Sequence, residues 1–130
     1  MKVIALDYGS ARTGVAVSDP TGTLARPLSV VRQAGTEAGL AELARLVDEE
    51  GAERIVVGLP LTLRGERGEQ AVETEQFVDA LRVVVSVPVE LFDERFTTDL
   101  AQQTAGAAPE DALAAAHLLS GWLEWSAARS

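Results

Sequence analysis

Apolar positions along this 130-residue chain fall into two patterns, short continuous runs and helical stripes, and their order sets the architecture. Runs over residues 3–8 and 14–18, then a third over 24–32 broken at Pro27, read as three consecutive strands joined by tight turns. Proline donates nothing to a ladder, so the third strand is expected at a sheet edge. Thr36 is placed to cap a helix reaching about Glu50, with Leu40, Leu43 and Val47 on its buried stripe. "RIVVGLP", residues 54–60, is an apolar run closed by glycine and proline, as expected of a strand covered on both faces. A second helix over about 69–85 lines up Phe77, Leu81 and Val84, and "VPVELF", residues 87–92, is a further strand. Thr97 or Thr98 can cap a short helix, and Pro109 suits the first position of a last helix extending to Trp125.

Three hairpin-linked strands followed by helix–strand alternation predict an α/β domain. Its central mixed sheet has five strands, three antiparallel then two parallel, with helices on both faces. No linker, repeat or biased tract divides residues 1–130, so a single domain is expected. Ligands of open α/β sheets bind outside the carboxyl ends of the strands. Candidate chemistry is therefore sought there.

Composition narrows the classes. The chain has no cysteine, which removes disulfide and thiolate chemistry. No apolar run approaches the roughly 18 residues of a membrane span, and Met1-Lys2 leads straight into a strand rather than a signal peptide, so a cytoplasmic location without membrane partners is expected. The formal net charge of -9 argues against a nucleic-acid partner until its distribution is considered. The acids concentrate in the stretches 42–53 and 66–79 at helical spacing, where they form solvated faces. Arg12, Arg64, Arg67 and Arg95 instead fall in strand-end loops, beside Gly65, Gly68 and the hydrogen-bonding Thr62, where they could meet phosphate.

Three acidic positions share that edge. Asp7 ends the first strand, and Gly9 two residues on carries no Cβ to obstruct a phosphate; turn chemistry would explain the same pattern. Asp93 and Glu94 follow the last strand and point to opposite sides, so one of them can face a given site, and spacing does not say which. Asp111 suits the first turn of a helix by its charge, yet it is also in phase with Ala115, Leu118 and Trp122 on the face that meets the sheet. Small residues Ala112, Ala115 and Ala116 allow that helix a close approach. Carboxylates drawn together repel by about 4 kcal/mol per pair at 4 Å and an effective dielectric near 20. A hard divalent cation, Mg²⁺ or Mn²⁺, would relieve that repulsion and direct the chemistry toward phosphodiester hydrolysis.

These acids, in this order and on these elements, carry a resemblance. "LDYGSARTGVAVSDPTGTLARPL", "IVVGLPLTLRGERGEQA", "DERFTT" and "DALAAAHLLSGWLE" are together similar to the motifs of the RuvX/YqgF family, across nearly the whole chain. The resemblance implies an RNase H-like fold and a metal-dependent nuclease, acting on precursor 16S rRNA or on Holliday junctions and other branched DNA. It implies Asp7, Glu94 and Asp111 as catalytic and metal-binding acids, Glu94 being preferred to Asp93. The nucleic acid would meet Arg12, Thr62, Arg64, Arg67 and Arg95, and the Trp-bearing C-terminal helix leaves room for a homodimer. Unlike typical members, the chain has Ala11 where a lysine is usual and a short segment without basic residues, "DLAQQTAGAAPE", before the last helix. A non-catalytic ribosome-assembly or nucleic-acid-binding factor on the same fold is the alternative of another class. An actin-like ATPase would need a second lobe that 130 residues do not supply.

Overall fold

The computed structural model describes residues 1–62, 64–96 and 110–129. Strands β1 (Val3–Asp7), β2 (Arg12–Ser18) and β3 (Ala25–Arg32) precede helix α1 (Glu37–Glu50), strand β4 (Arg54–Leu59), helix α2 (Glu69–Val84), strand β5 (Val89–Asp93) and helix α3 (Glu110–Ala127). The sheet order is β3-β2-β1-β4-β5. β2 is antiparallel to both β1 and β3, whereas β4 is parallel to β1 and β5. This is the expected mixed sheet. Thr97, Thr98 and Pro109, expected to begin helices, lie outside the described residues.

Each boundary has a local cause. Thr36 caps α1 as its spacing predicted, its side chain accepting from the Gly39 amide, and Gly51 ends the helix at φ +65°. Pro27 lies on the edge strand, and the β2–β3 register slips between Val15 and Ala16 beside it. β5 starts two residues later than the apolar run suggests. Pro88 still takes part, its carbonyl accepting from the Ile55 amide at 2.9 Å.

The sheet separates two cores. α1 and α2 cover one face, where Ile4, Leu6, Val15, Val17, Ile55 and Val57 meet Leu43, Val47, Phe77 and Leu81. On the other face α3 lies over Val3, Ala5, Ala16, Val56 and Phe92, bringing Ala115, Leu118, Leu119 and Trp122. Burying each leucine-sized side chain contributes about 1.5–3 kcal/mol, so α3 is docked by its apolar stripe rather than by its ends. Period-two alternation then decides what faces α3. In β1 it is Val3, Ala5 and hence Asp7; in β2, Ala16, Gly14 and Arg12; in β4, Val56 and Gly58. No helix among the described residues is long and apolar enough to cross a membrane.

Candidate nuclease site

Asp7 ends β1 between two glycines. On the antiparallel side its cross-strand partner is Gly14. On the parallel side Gly58 follows Val57, the partner of Leu6. Both vacant positions are filled from elsewhere. A Cβ on Gly14 would lie 1.8 Å from the carbonyl oxygen of Asp111, so the first turn of α3 rests on bare β2 backbone. A Cβ on Gly58 would lie 2.7 Å from Oε1 and 2.9 Å from Cγ of Glu94, so that side chain lies in the space over β4. The sheet thus brings acids from residues 7, 94 and 111 to its carboxyl edge, on the α3 face.

Their electrostatics follow from crowding. Asp7 and Glu94 share a hydrogen bond. Burial, the charge of Asp7 and that bond raise Glu94 to about 7, so below neutrality its protonated form donates to Asp7. Burial also raises Asp7, aided by the Asp111 charge and opposed by the bond from Glu94. Asp111 is neutralised differently, by Arg12, whose Nε lies 3.2 Å from Oδ2. Among the described residues no group of three or more carboxylate or imidazole side chains is already gathered to hold a metal ion. The three acids are held instead by the Asp7–Glu94 hydrogen bond and the Arg12–Asp111 ion pair. The donor set nonetheless fits a hard cation, being oxygen throughout and carrying two carboxyls whose proton sharing a cation would replace.

Asp93 and Glu94 differ in what each touches. Asp93 turns to Arg95, accepting from its backbone amide at 2.9 Å and from Nε and NH2 of the guanidinium, and this pairing holds its carboxyl below the ordinary range. Glu94 opens a short 3-10 turn, Glu94–Phe96, and continues the α3-facing phase of Phe92. Only Glu94 joins Asp7.

The predicted phosphate-binding residues divide. Arg12 reaches the acidic centre. Arg95 lies over the β4–α2 loop, its NH1 3.2 Å from where a Gly65 Cβ would be. In that loop Thr62 Oγ1 accepts from the Glu66 amide at 3.1 Å, and the Gly65 amide donates to the Thr62 carbonyl at 2.8 Å, which makes Thr62 a staple of the turn. Arg64 is exposed at its tip. Arg67 is instead paired with Glu75 of α2. Of the two readings of Gly9, the turn is the one with a contact behind it. A Cβ there would lie 2.5 Å from the Arg12 carbonyl, so its task is closing the β1–β2 turn.

Sequence reasoning missed Gly14 and Gly58 as site residues. A signal was present, since glycine inside a strand marks a close approach of other groups.

Solved structures give the fold. RuvC from Thermus thermophilus, in complex with a Holliday junction substrate, superposes with a TM-score of 0.63 at 19% identity, over 96% of each chain. The fowlpox virus Holliday junction resolvase gives 0.55 at 10% identity, over 96% of this chain and 99% of that one. The fold is therefore RNase H-like, of the type seen in these resolvases. The chain itself belongs to the family described as RuvX, Holliday junction resolvase, whose model matches residues 1–125. A relative from Chloroflexus aggregans, named "Putative pre-16S rRNA nuclease", is 50% identical over 78% of this chain and 71% of its own. One of the same name from Anaeromyxobacter sp. is 42% identical over 95% and 97%.

Proposed function

We propose that this protein is a divalent-cation-dependent endonuclease that hydrolyses phosphodiester bonds in structured nucleic acid, with precursor 16S rRNA as its substrate in the cytoplasm. The hydrogen-bonded Asp7–Glu94 pair, with Asp111 seated over Gly14 beside it, carries this reading. The names of the relatives supply the substrate.

Asp7, Glu94 and Asp111 would hold Mg²⁺ or Mn²⁺. When bound, the cation supplies a lowered pKa for an attacking water and stabilisation of the leaving oxygen. Asp7 is the most rigidly held ligand, because a strand paired on both sides fixes its backbone. Glu94 surrenders its proton on loading, which couples occupancy to pH. Arg12, Arg64 and Arg95 take the backbone charge around the centre, and Asp93 aims Arg95. A site so assembled recognises phosphate geometry rather than base sequence.

A second substrate, branched DNA, is favoured by the family description and by the fold's likeness to junction resolvases. One experiment separates the readings. The protein is incubated with precursor 16S rRNA fragments and with a four-way DNA junction, each with Mg²⁺ or Mn²⁺, across a salt series. Specific cleavage of the RNA that Asp7→Asn abolishes, with circular dichroism unchanged, is the expected result. Cleavage of the junction alone selects the resolvase. Full activity in a clean Asp7→Asn preparation rejects the site, and binding without cleavage of either substrate identifies a non-catalytic factor.

A further inference from the structure

Two arginines near the acidic edge are paired with acids outside the centre, Arg95 with Asp93 and Arg67 with Glu75. Arg12 differs, because its ion-pair partner is Asp111, an acid of the centre itself. The contact is built into the sheet. Arg12 and Gly14 are two residues apart on β2 and therefore project to the same face. The missing side chain at Gly14 lets the Asp111 main chain settle there. The Arg12 side chain consequently lies beside the Asp111 carboxylate, Nε to Oδ2 at 3.2 Å. It remains 59% exposed, and the carboxylate 36%, so neither partner is locked by packing and the pair can open at small cost.

We propose that Arg12 is an exchangeable counter-ion. In the cation-free protein its guanidinium neutralises Asp111, and it releases that carboxylate when a divalent cation arrives, becoming free for a backbone phosphate of the nucleic acid. The inference rests on the function proposed above. It adds that cation and phosphate loading share one arginine: a phosphate that draws Arg12 away exposes Asp111 to the cation, and the cation frees Arg12 for the phosphate. By linkage each loading event favours the other to the same extent.

The test is calorimetric titration of Mn²⁺ into the full chain, without nucleic acid, at fixed pH and ionic strength. Wild type is compared with Arg12→Gln, Asp111→Asn and the double variant, and Asp7→Asn serves as the control for the site. Removing an exposed ion pair that competes for the ligand should tighten Mn²⁺ binding about two- to fivefold in Arg12→Gln. In the Asp111→Asn background the same change should have no effect, because the partner is gone. Arg12→Gln should also weaken binding of an uncleavable duplex and lower the dependence of log affinity on log salt by about one ion. Unchanged or weaker Mn²⁺ binding in Arg12→Gln overturns the exchange, as does equal tightening in both backgrounds, which would mark a general field. Asp7→Asn binding Mn²⁺ like wild type rejects the cation site itself, a failure distinguishable from that of the exchange.

Discussion

Gly14 and Asp111 are in backbone contact: the smallest side chain at position 14 would place a carbon 1.8 Å from the Asp111 carbonyl oxygen. The neighbour is main chain, so it cannot rotate aside. Gly14→Ala should therefore lift the start of α3 and cost about 1–3 kcal/mol of stability, the usual penalty of overpacking. Urea unfolding measures the loss, and Mn²⁺ titration should show weaker binding as Asp111 is displaced.

Gly58→Ala should behave differently. Its new carbon would meet the end of a flexible side chain, Glu94 Oε1 at 2.7 Å, and Leu118 Cδ2 at 3.1 Å. Glu94 can swing away, so stability should fall by less than about 1–2 kcal/mol while cation affinity and cleavage drop by at least about tenfold. Comparing the urea midpoint with turnover separates the two effects.

The raised carboxyls predict an unusual pH dependence for metal-free protein. Glu94 holds its proton up to about 7 when folded, against 4.5 in an unfolded chain. Its contribution is thus fully present below about pH 4.5 and lost as pH rises through 7. Asp7 is shifted in the same direction. Asp19, drawn down to about 2 by amides of its turn, contributes the opposite slope, but at more acid pH. In EDTA the unfolding midpoint should decline between pH 4.5 and 7, and Glu94→Gln should flatten that decline. Mn²⁺ affinity should rise over the same interval.

Adjacent acids should separate in function. Asp93→Asn loosens Arg95 and should raise KM, leaving Mn²⁺ affinity within about twofold, because Asp93 faces the guanidinium and not Asp7. Glu94→Gln should abolish cleavage and weaken Mn²⁺ binding. Loss of Mn²⁺ binding in Asp93→Asn would contradict this division.

The arginines of the β4–α2 loop should separate as well. Arg64→Gln should weaken nucleic-acid binding and reduce its salt slope by about one. Arg67→Gln should change the slope little, since Glu75 already engages that guanidinium. Filter binding across a salt series reads both.

Much of this was legible in the chain. Apolar runs located all five strands, the proline in the third marked its edge position, and Thr36 was recognisable as a cap because hydroxyl capping is a local event. The start of β5 was misjudged because Val87 and Pro88 extend the apolar run without joining the strand. Asp7, Asp111 and the pair Asp93 and Glu94 could be nominated from phase and strand ends, and only the family resemblance preferred Glu94. What selects Glu94 over Asp93 was not local: it is the pull of Arg95 on one side and the empty face of Gly58 on the other. The engagement of Arg67 by Glu75 escaped notice for the same reason, since it joins a loop to the second turn of the following helix. Gly14 and Gly58 were visible as strand glycines, but their meaning depends on which backbone and which side chain arrive opposite them.

Helix α3 brings Asp111 to the sheet by docking its apolar stripe on the sheet and settling its first turn on Gly14. On the proposed reading, a copy whose last helix has peeled away is chemically silent, because Asp111 leaves with it.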